Sequence, residues 1–390
     1  MRILLTTPTY PPENSGLGNA VQQQASGLVS KGIDVVVATG GERRRQRFDC
    51  KTGVLVEEFQ VSGSSSLLSP IKGDFHSYLK FLGQEEFDVI IMNAWQTWSS
   101  DLILGRLRQF PGKKILYSHC VSTNLFFKRE PLRSVVRYLA WRPYWWRVRK
   151  YMELLDGVVF LAKQGDDSRF DDLRLACKND TFVSVVPNSI SEAGLKALSE
   201  PVRSRDVRSQ IISVGSYHWQ KGFDFVLKAY AGSQFKNQIP LSFFGQEKTE
   251  YTKYLQELAE KLGVSSRYVR FCAGVSGEAL IKEYQRACIF ICGSYTECQP
   301  LVLLDANSTG TPFVARRTGC ISSISGGSSV STHQEASKQI DDILLSQKKW
   351  GDLSGKGRAA ASLKYHPDYT TNQLLEVINK VVGGDVSVFP

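Results

Sequence analysis

The chain has no run of 18 apolar residues, so no membrane-spanning helix is expected. It has no Cys-x-x-Cys and no Cys/His cluster at zinc spacing, although it holds eight cysteines. Cys272, Cys288 and Cys292 fall inside apolar strand-like runs, where cysteine acts as a small hydrophobe. No Asp-x-Asp occurs, and no catalytic metal is expected. The opening MRILLTTPTYPPEN is too short and too proline-rich for a signal peptide; it reads as a first strand, and residence in the cytoplasm is expected. Acid is in deficit: 38 Asp and Glu face 48 Lys and Arg, for a net charge of +10. Such a balance implies an anionic partner: nucleic acid, anionic lipid or a phosphorylated substrate. What remains is an ordinary globular composition, 42% hydrophobic and 22% charged, over 390 residues, enough for two domains.

The most informative stretch is Ser294 to Ala315, SYTECQPLVLLDANSTGTPFVA. It follows Ala287–Cys292, an apolar run that reads as a buried strand. A polar turn, Pro300 as a first helical residue, an apolar helix and a second strand Phe313–Ala315 follow. This is the strand–loop–helix–strand unit of a parallel sheet. Glu297 stands just past the strand's carboxyl end, where ligands of such sheets bind. Asp305 lies one turn after Leu301. Two acids so placed can grip two hydroxyl-bearing parts of one ligand, or serve only the helix dipole.

The same βα theme runs through the chain. Arg2–Thr7 and Asp34–Ala38 read as strands around a helix that carries Ala20, Val21, Gln24, Leu28 and Val29. Gly16 and Gly18 precede that helix, but Val21 and the lack of an acid closing the second strand exclude a dinucleotide fingerprint. The glycine turn either offers bare N–H groups to an anion or simply needs glycine. Further strand-like runs lie at 54–56, 88–92, 114–117, 157–161 and 183–186. His119 falls at the carboxyl end of the 114–117 run. Residues 42–47 and the serine-rich 62–69 read as loops, and the charged stretch 191–208 as a linker. Beyond it, Ile211–Gly215 is a strand. Ser216, Tyr217, His218, Trp219, Gln220, Lys221 and Gly222 lead into a helix, and an ammonium beside free helix N–H groups suits phosphate. Strands at 241–245 and 268–272 follow, then the turn Ala273–Ser276; residues 322–331 read as a Ser/Gly-rich loop.

Glu297, seven residues, Asp305 and then Gly310-Thr311-Pro312 resemble the signature of the retaining glycosyltransferases of family 4. Pro187-Asn188-Ser189 and the unit from Gly215 to Gly222 are similar to two more of that family's motifs. The resemblance implies the GT-B fold: α/β, with two Rossmann-like domains facing each other across a cleft. The expected division is 1–190, a linker at 191–208, 209–364, and a C-terminal helix at 365–390 crossing back. It also implies a nucleotide-sugar donor, UDP- or GDP-linked, and catalytic roles for His119, Lys221 and Glu297. Donor contacts are implied at Gly16, Gly18, Gly215, Ser216, His218, Gly274 and Val275, and again at Cys298, Pro300, Leu301, Val302 and Asp305. Two departures stand out: Asp305 replaces the usual glutamate, and Ser216 the usual arginine, which leaves His218 as a neighbouring candidate. A degenerate member kept as a membrane-bound scaffold or sugar-nucleotide sensor is the alternative.

Leu125 to Met152 holds eight Lys or Arg against one acid, Glu130, and eight aromatics. Pro143 should break its helix. The segment reads as an in-plane anchor on an anionic membrane, as a nucleic-acid surface, or as a half-buried helix with snorkelling arginines. No nucleic-acid module accompanies it, so nucleic acid is not expected as a partner. With a glycosyltransferase body, the membrane reading fits a lipid-linked saccharide acceptor and residence on the cytoplasmic face.

Overall fold

The computed structural model describes residues 1–13, 15–121, 123–179 and 181–383. These divide into two compact units. One is Met1–Asn188 with the C-terminal helix; the other is Ser189–His366.

The first unit is built on an eight-stranded sheet. Its strands are β1 (Arg2–Thr6), β2 (Asp34–Gly40), β3 (Arg45–Asp49), β4 (Val54–Phe59), β7 (Val89–Asn93), β8 (Lys113–Ser118), β9 (Gly157–Phe160) and β10 (Val183–Val185). Their order is β10-β9-β8-β7-β1-β2-β4-β3, parallel except for the β3–β4 pair. Strands such as Val89–Asn93 are buried on both faces, which explains their uninterrupted apolar runs. Helices α1 (Gly16–Ser30), α2 (Phe75–Gln84), α3 (Trp98–Leu104), α4 (Pro131–Ala140), α5 (Arg142–Leu154) and α6 (Asp171–Lys178) complete it.

Two expected loops prove to be strands. Residues 42–47 run into β3, an edge strand whose arginines are held by buried acids. Arg45 and Arg47 bond Glu58, and Arg44 pairs with Glu57. Charge pairing across the ladder replaces the apolar alternation that would have marked a strand. The serine-rich stretch forms a hairpin of β5 (Val61–Ser66) and β6 (Ser69–Gly73).

The second unit has a six-stranded parallel sheet of β11 (Gln210–Val214), β12 (Leu241–Gly245), β13 (Val269–Ala273), β14 (Ala287–Cys292), β15 (Phe313–Arg316) and β16 (Gly327–Val330). The order is β13-β12-β11-β14-β15-β16. Residues 327–330, expected as loop, pair with β15 as its outermost strand. Side-chain alternation splits the core onto two faces. Ile211, Phe243 and Ile289 join one cluster, and Ile212, Phe244 and Phe290 the other. Helices α7 (Glu192–Leu198), α8 (Phe223–Gly232), α9 (Glu250–Lys261), α10 (Gly277–Arg286), α11 (Leu301–Ser308), α12 (His333–Leu345) and α13 (Gln347–Leu363) cover the faces.

The stretch 191–208 packs with this unit. Arg208, at its end, is buried, and its guanidinium donates to the carbonyls of Tyr284, Ala287 and Thr309 and to Thr311 Oγ1. Gly310-Thr311-Pro312 is therefore also a structural turn, with Gly310 at φ +64°. After Tyr365 the chain rejoins the first unit as α14 (Pro367–Gly383), packed on α1 with Thr371 against Gly27. Residues 384–390 of the expected final segment lie outside the described residues.

Candidate functional site

The strand order of the second unit reverses between β11 and β14. Such a switch point, at the carboxyl ends of the strands, is where parallel α/β sheets bind ligands. The loop after β11 carries Gly215 to Gly222, and the loop after β14 carries Gly293 to Pro300.

The two loops touch through backbone. Gly222 sits at φ +63°, and a Cβ there would lie 1.9 Å from the Gly293 carbonyl oxygen. Conversely, a Cβ on Gly293 would meet the Gly222 oxygen at 2.1 Å. Both positions require glycine on steric grounds. Tyr295 N–H donates to the Gln220 carbonyl (2.8 Å), which ties the loops a second time.

This approach sets Lys221 Nζ 2.7 Å from Glu297 Oε1. Gly215 lies under the lysine stem; a Cβ there would be 3.3 Å from Lys221 Cγ. Beneath the pair, burial pushes the Cys292 thiol up to about 11, with the Glu297 charge adding to it and Lys221 opposing it. That thiol is a buried neutral group, not a nucleophile.

Ser216 contributes its carbonyl, which accepts the His218 N–H (2.7 Å). His218 caps the short turn Trp219–Lys221 by accepting the Gln220 N–H. Two helices start just beyond these loops. Neither α8 nor α11, the helices that follow β11 and β14, has a side-chain cap, whereas α9, α12 and α13 are capped by Thr249, Thr332 and Ser346. Helix starts without side-chain caps leave backbone N–H groups for an anion, although the Asp224 N–H in the first turn of α8 already donates to Tyr251 Oη (3.3 Å). Pro300 is the N-cap of α11 rather than its first helical residue, one position earlier than expected.

Asp305 faces the start of α7. Its Oδ1 accepts the Ser191 N–H at 3.1 Å, and burial raises its pKa. Gly194 lets α7 come this close, since a Cβ there would be 2.8 Å from that oxygen. Burial, with the Asp305 charge adding, lifts the buried Tyr284 phenol well above its usual range. Val275, Leu301 and Val302 pack, half-buried, against one core cluster. Gly274, at φ +74°, looks into open space. The Cys298 carbonyl accepts the Cys320 N–H (2.9 Å).

Gly16, Gly18 and His119 belong to the first unit. Gly18 donates its N–H to the Ser15 cap (2.9 Å) and is crowded by Thr9, while Gly16 faces open space. His119 follows β8, stacks on Tyr117 and shares a hydrogen bond with Asn93 Oδ1 (3.2 Å). Burial holds its pKa down at about 3, so the imidazole is neutral. Around it Ala94, Gln96 and Cys120 all adopt positive φ, a concentration of strain typical of functional sites.

Sequence reasoning missed Gly293 and Tyr295. A glycine directly after a buried strand, as at Gly215, was the available signal for the first.

Residues 196–359 match the family described as glycosyl transferases group 1. An uncharacterized glycosyltransferase of Methanocaldococcus jannaschii is 24% identical over 334 residues, covering 82% of this chain and 81% of the relative. Alpha-monoglucosyldiacylglycerol synthase of Streptococcus pneumoniae is 21% identical over 98% of this chain and 82% of the relative. Among solved structures, sucrose-phosphate synthase from Thermosynechococcus elongatus superposes with a TM-score of 0.74 at 16% identity, over 98% of this chain and 99% of that one. HepE of Anabaena, solved in complex with UDP-glucose, gives 0.67 at 15% identity, over 97% and 100%. These likenesses establish the GT-B architecture of paired Rossmann-like units.

Proposed function

We propose that this chain, whose residues 196–359 match the group 1 glycosyl transferases, moves a sugar, with retention of configuration and without a metal, from a nucleoside-diphosphate sugar to a saccharide acceptor. The observation that carries this reading is the Lys221–Glu297 pair at the switch point, on loops held in register by Gly222 and Gly293. Lys221 and the N–H groups at the start of α8 neutralise the leaving diphosphate. Glu297 takes hydroxyls of the donor sugar and fixes its orientation. Asp305 takes the ribose.

The acceptor is proposed to be lipid-linked, in glycolipid or surface-polysaccharide assembly, with the protein peripheral on an anionic membrane face. Support comes from α4. Leu132, Val135, Val136 and Leu139 repeat at helical spacing and are all exposed. The pneumococcal relative is named for a lipid product. No helix among the described residues is long and apolar enough to cross a membrane.

The test is to incubate the protein with UDP- and GDP-sugars and candidate acceptors. Release of the nucleoside diphosphate and the anomeric configuration of the product are then read by NMR. Retained configuration without added metal supports the reading, and inverted product contradicts it. A sensor, the second reading, is favoured by the Asp305–Ser191 bond, which already engages one carboxylate oxygen; it would bind the nucleotide and release nothing.

A further inference from the structure

We propose that the β5–β6 hairpin is a second membrane-insertion element, acting beside α4 on the same anionic bilayer; the inference rests on the membrane reading above.

The hairpin closes through Ser66 paired with Ser69, so its tip is the two-residue turn Leu67-Leu68. Leu67 is 82% exposed and Leu68 62%. Two-residue turns favour Asn, Asp and Gly, for the backbone angles and hydrogen bonds they supply. Two leucines supply neither, and neither packs into the core. Adjacent apolar side chains at the apex of a hairpin are instead the shape that enters an acyl layer. The strands around them carry Lys72 and no acid.

The tip is fixed next to the basic helices by one carboxylate. Ser65 N–H donates to Asp101 Oδ2 (3.0 Å), and Tyr144 O–H donates to Asp101 Oδ1 (2.8 Å). Ser65 is two residues from Leu67. Tyr144 lies in the first turn of α5 and packs edge-on against Trp141, the residue between α4 and α5 (5.2 Å between centroids). Asp101 is itself buried on α3. The hairpin and the helix pair thus share one anchor, the Asp101 carboxylate.

Charge complementarity selects the occupant. The helix pair and its approach expose Lys128, Arg129, Arg133, Arg147, Arg149 and Lys150. Arg133 and Arg149 meet acids only as exposed pairs, which hold little energy. Cations of this kind beside Trp146, 77% exposed, and an apolar helix stripe suit anionic headgroups over acyl chains.

The experiment is co-sedimentation of the full chain with phosphatidylcholine vesicles, with and without phosphatidylglycerol, at two salt concentrations. Three proteins are compared: the parent, Leu67→Ser with Leu68→Ser, and Leu132→Ser with Leu139→Ser. Both leucines of the hairpin are exposed, so the melting temperature should not move. The parent should sediment only with phosphatidylglycerol vesicles, and less at high salt. The hairpin variant should partition about tenfold less or weaker still, by loss of apolar burial, while keeping its salt dependence. If the hairpin variant sediments like the parent while the α4 variant does not, this inference fails and the membrane reading stands. If the parent does not sediment with anionic vesicles, both fail.

Discussion

Lys221 Nζ and Glu297 Oε1 lie 2.7 Å apart although 76 positions separate them in the chain. Their meeting follows from strand order, which sets β14 beside β11. Each follows a buried strand, and each loop is admitted to the other by a glycine. The pair holds the ammonium at the mouth of the switch point, where an arriving phosphate would take the carboxylate's place. Substituting Glu297→Gln should therefore leave UDP affinity unchanged or tighter. Transfer should fall by about 100-fold or more, because the sugar loses its orienting carboxylate. Titration calorimetry and single-turnover kinetics read the two effects separately.

Gly222→Ala places a methyl group on the Gly293 carbonyl at a left-handed backbone position. A loss of more than about 2 kcal/mol is expected, from strain plus displacement of the facing loop. Gly351→Ala, in the second turn of α13 with open space around it, should instead gain about 0.5–1 kcal/mol. Urea unfolding of the two variants should move in opposite directions.

Asp172 is buried, and desolvation raises its pKa from 3.8 to about 6, opposed by hydrogen bonds from Ser118 and Trp95. Between those values the unfolded chain has lost the proton and the folded one keeps it. This group therefore lowers stability as pH rises from about 4 to 6, and not further above. Over about two pKa units the change is about 3 kcal/mol. Asp172→Asn removes that slope. The stability of the variant minus that of the parent should climb between pH 4 and 6.5 and then stay level in denaturant titrations.

His119 should remain neutral throughout the physiological range, since burial holds its pKa near 3. Its ring carbon and proton shifts in NMR should be flat from pH 5 to 8. A midpoint near 6.5 would show a solvated imidazole instead.

Much of this arrangement was legible in the sequence. Ala287–Cys292 stands out because a strand buried on both faces needs a continuous apolar run. The acids and Lys221 were visible from their places just beyond such runs. Their contact was not, because it depends on the neighbour chosen by each strand. The β3 strand was hidden because its ladder is held by arginines and by Glu57 and Glu58, not by apolar alternation. The hairpin was hidden because Val61–Ser66 reads as serine-rich loop; its form is fixed by backbone pairing and by Asp101. Arg208 looked like a linker charge, and only the fold reveals the carbonyls that bury it.

The most direct measurement is calorimetric binding of UDP and GDP to the parent and to Lys221→Ala, with folding checked by circular dichroism. Loss of one charge-assisted contact to diphosphate should weaken the preferred nucleotide by about 10- to 100-fold at unchanged fold. Equal affinity in the two proteins would contradict the assignment of the switch point as the diphosphate site.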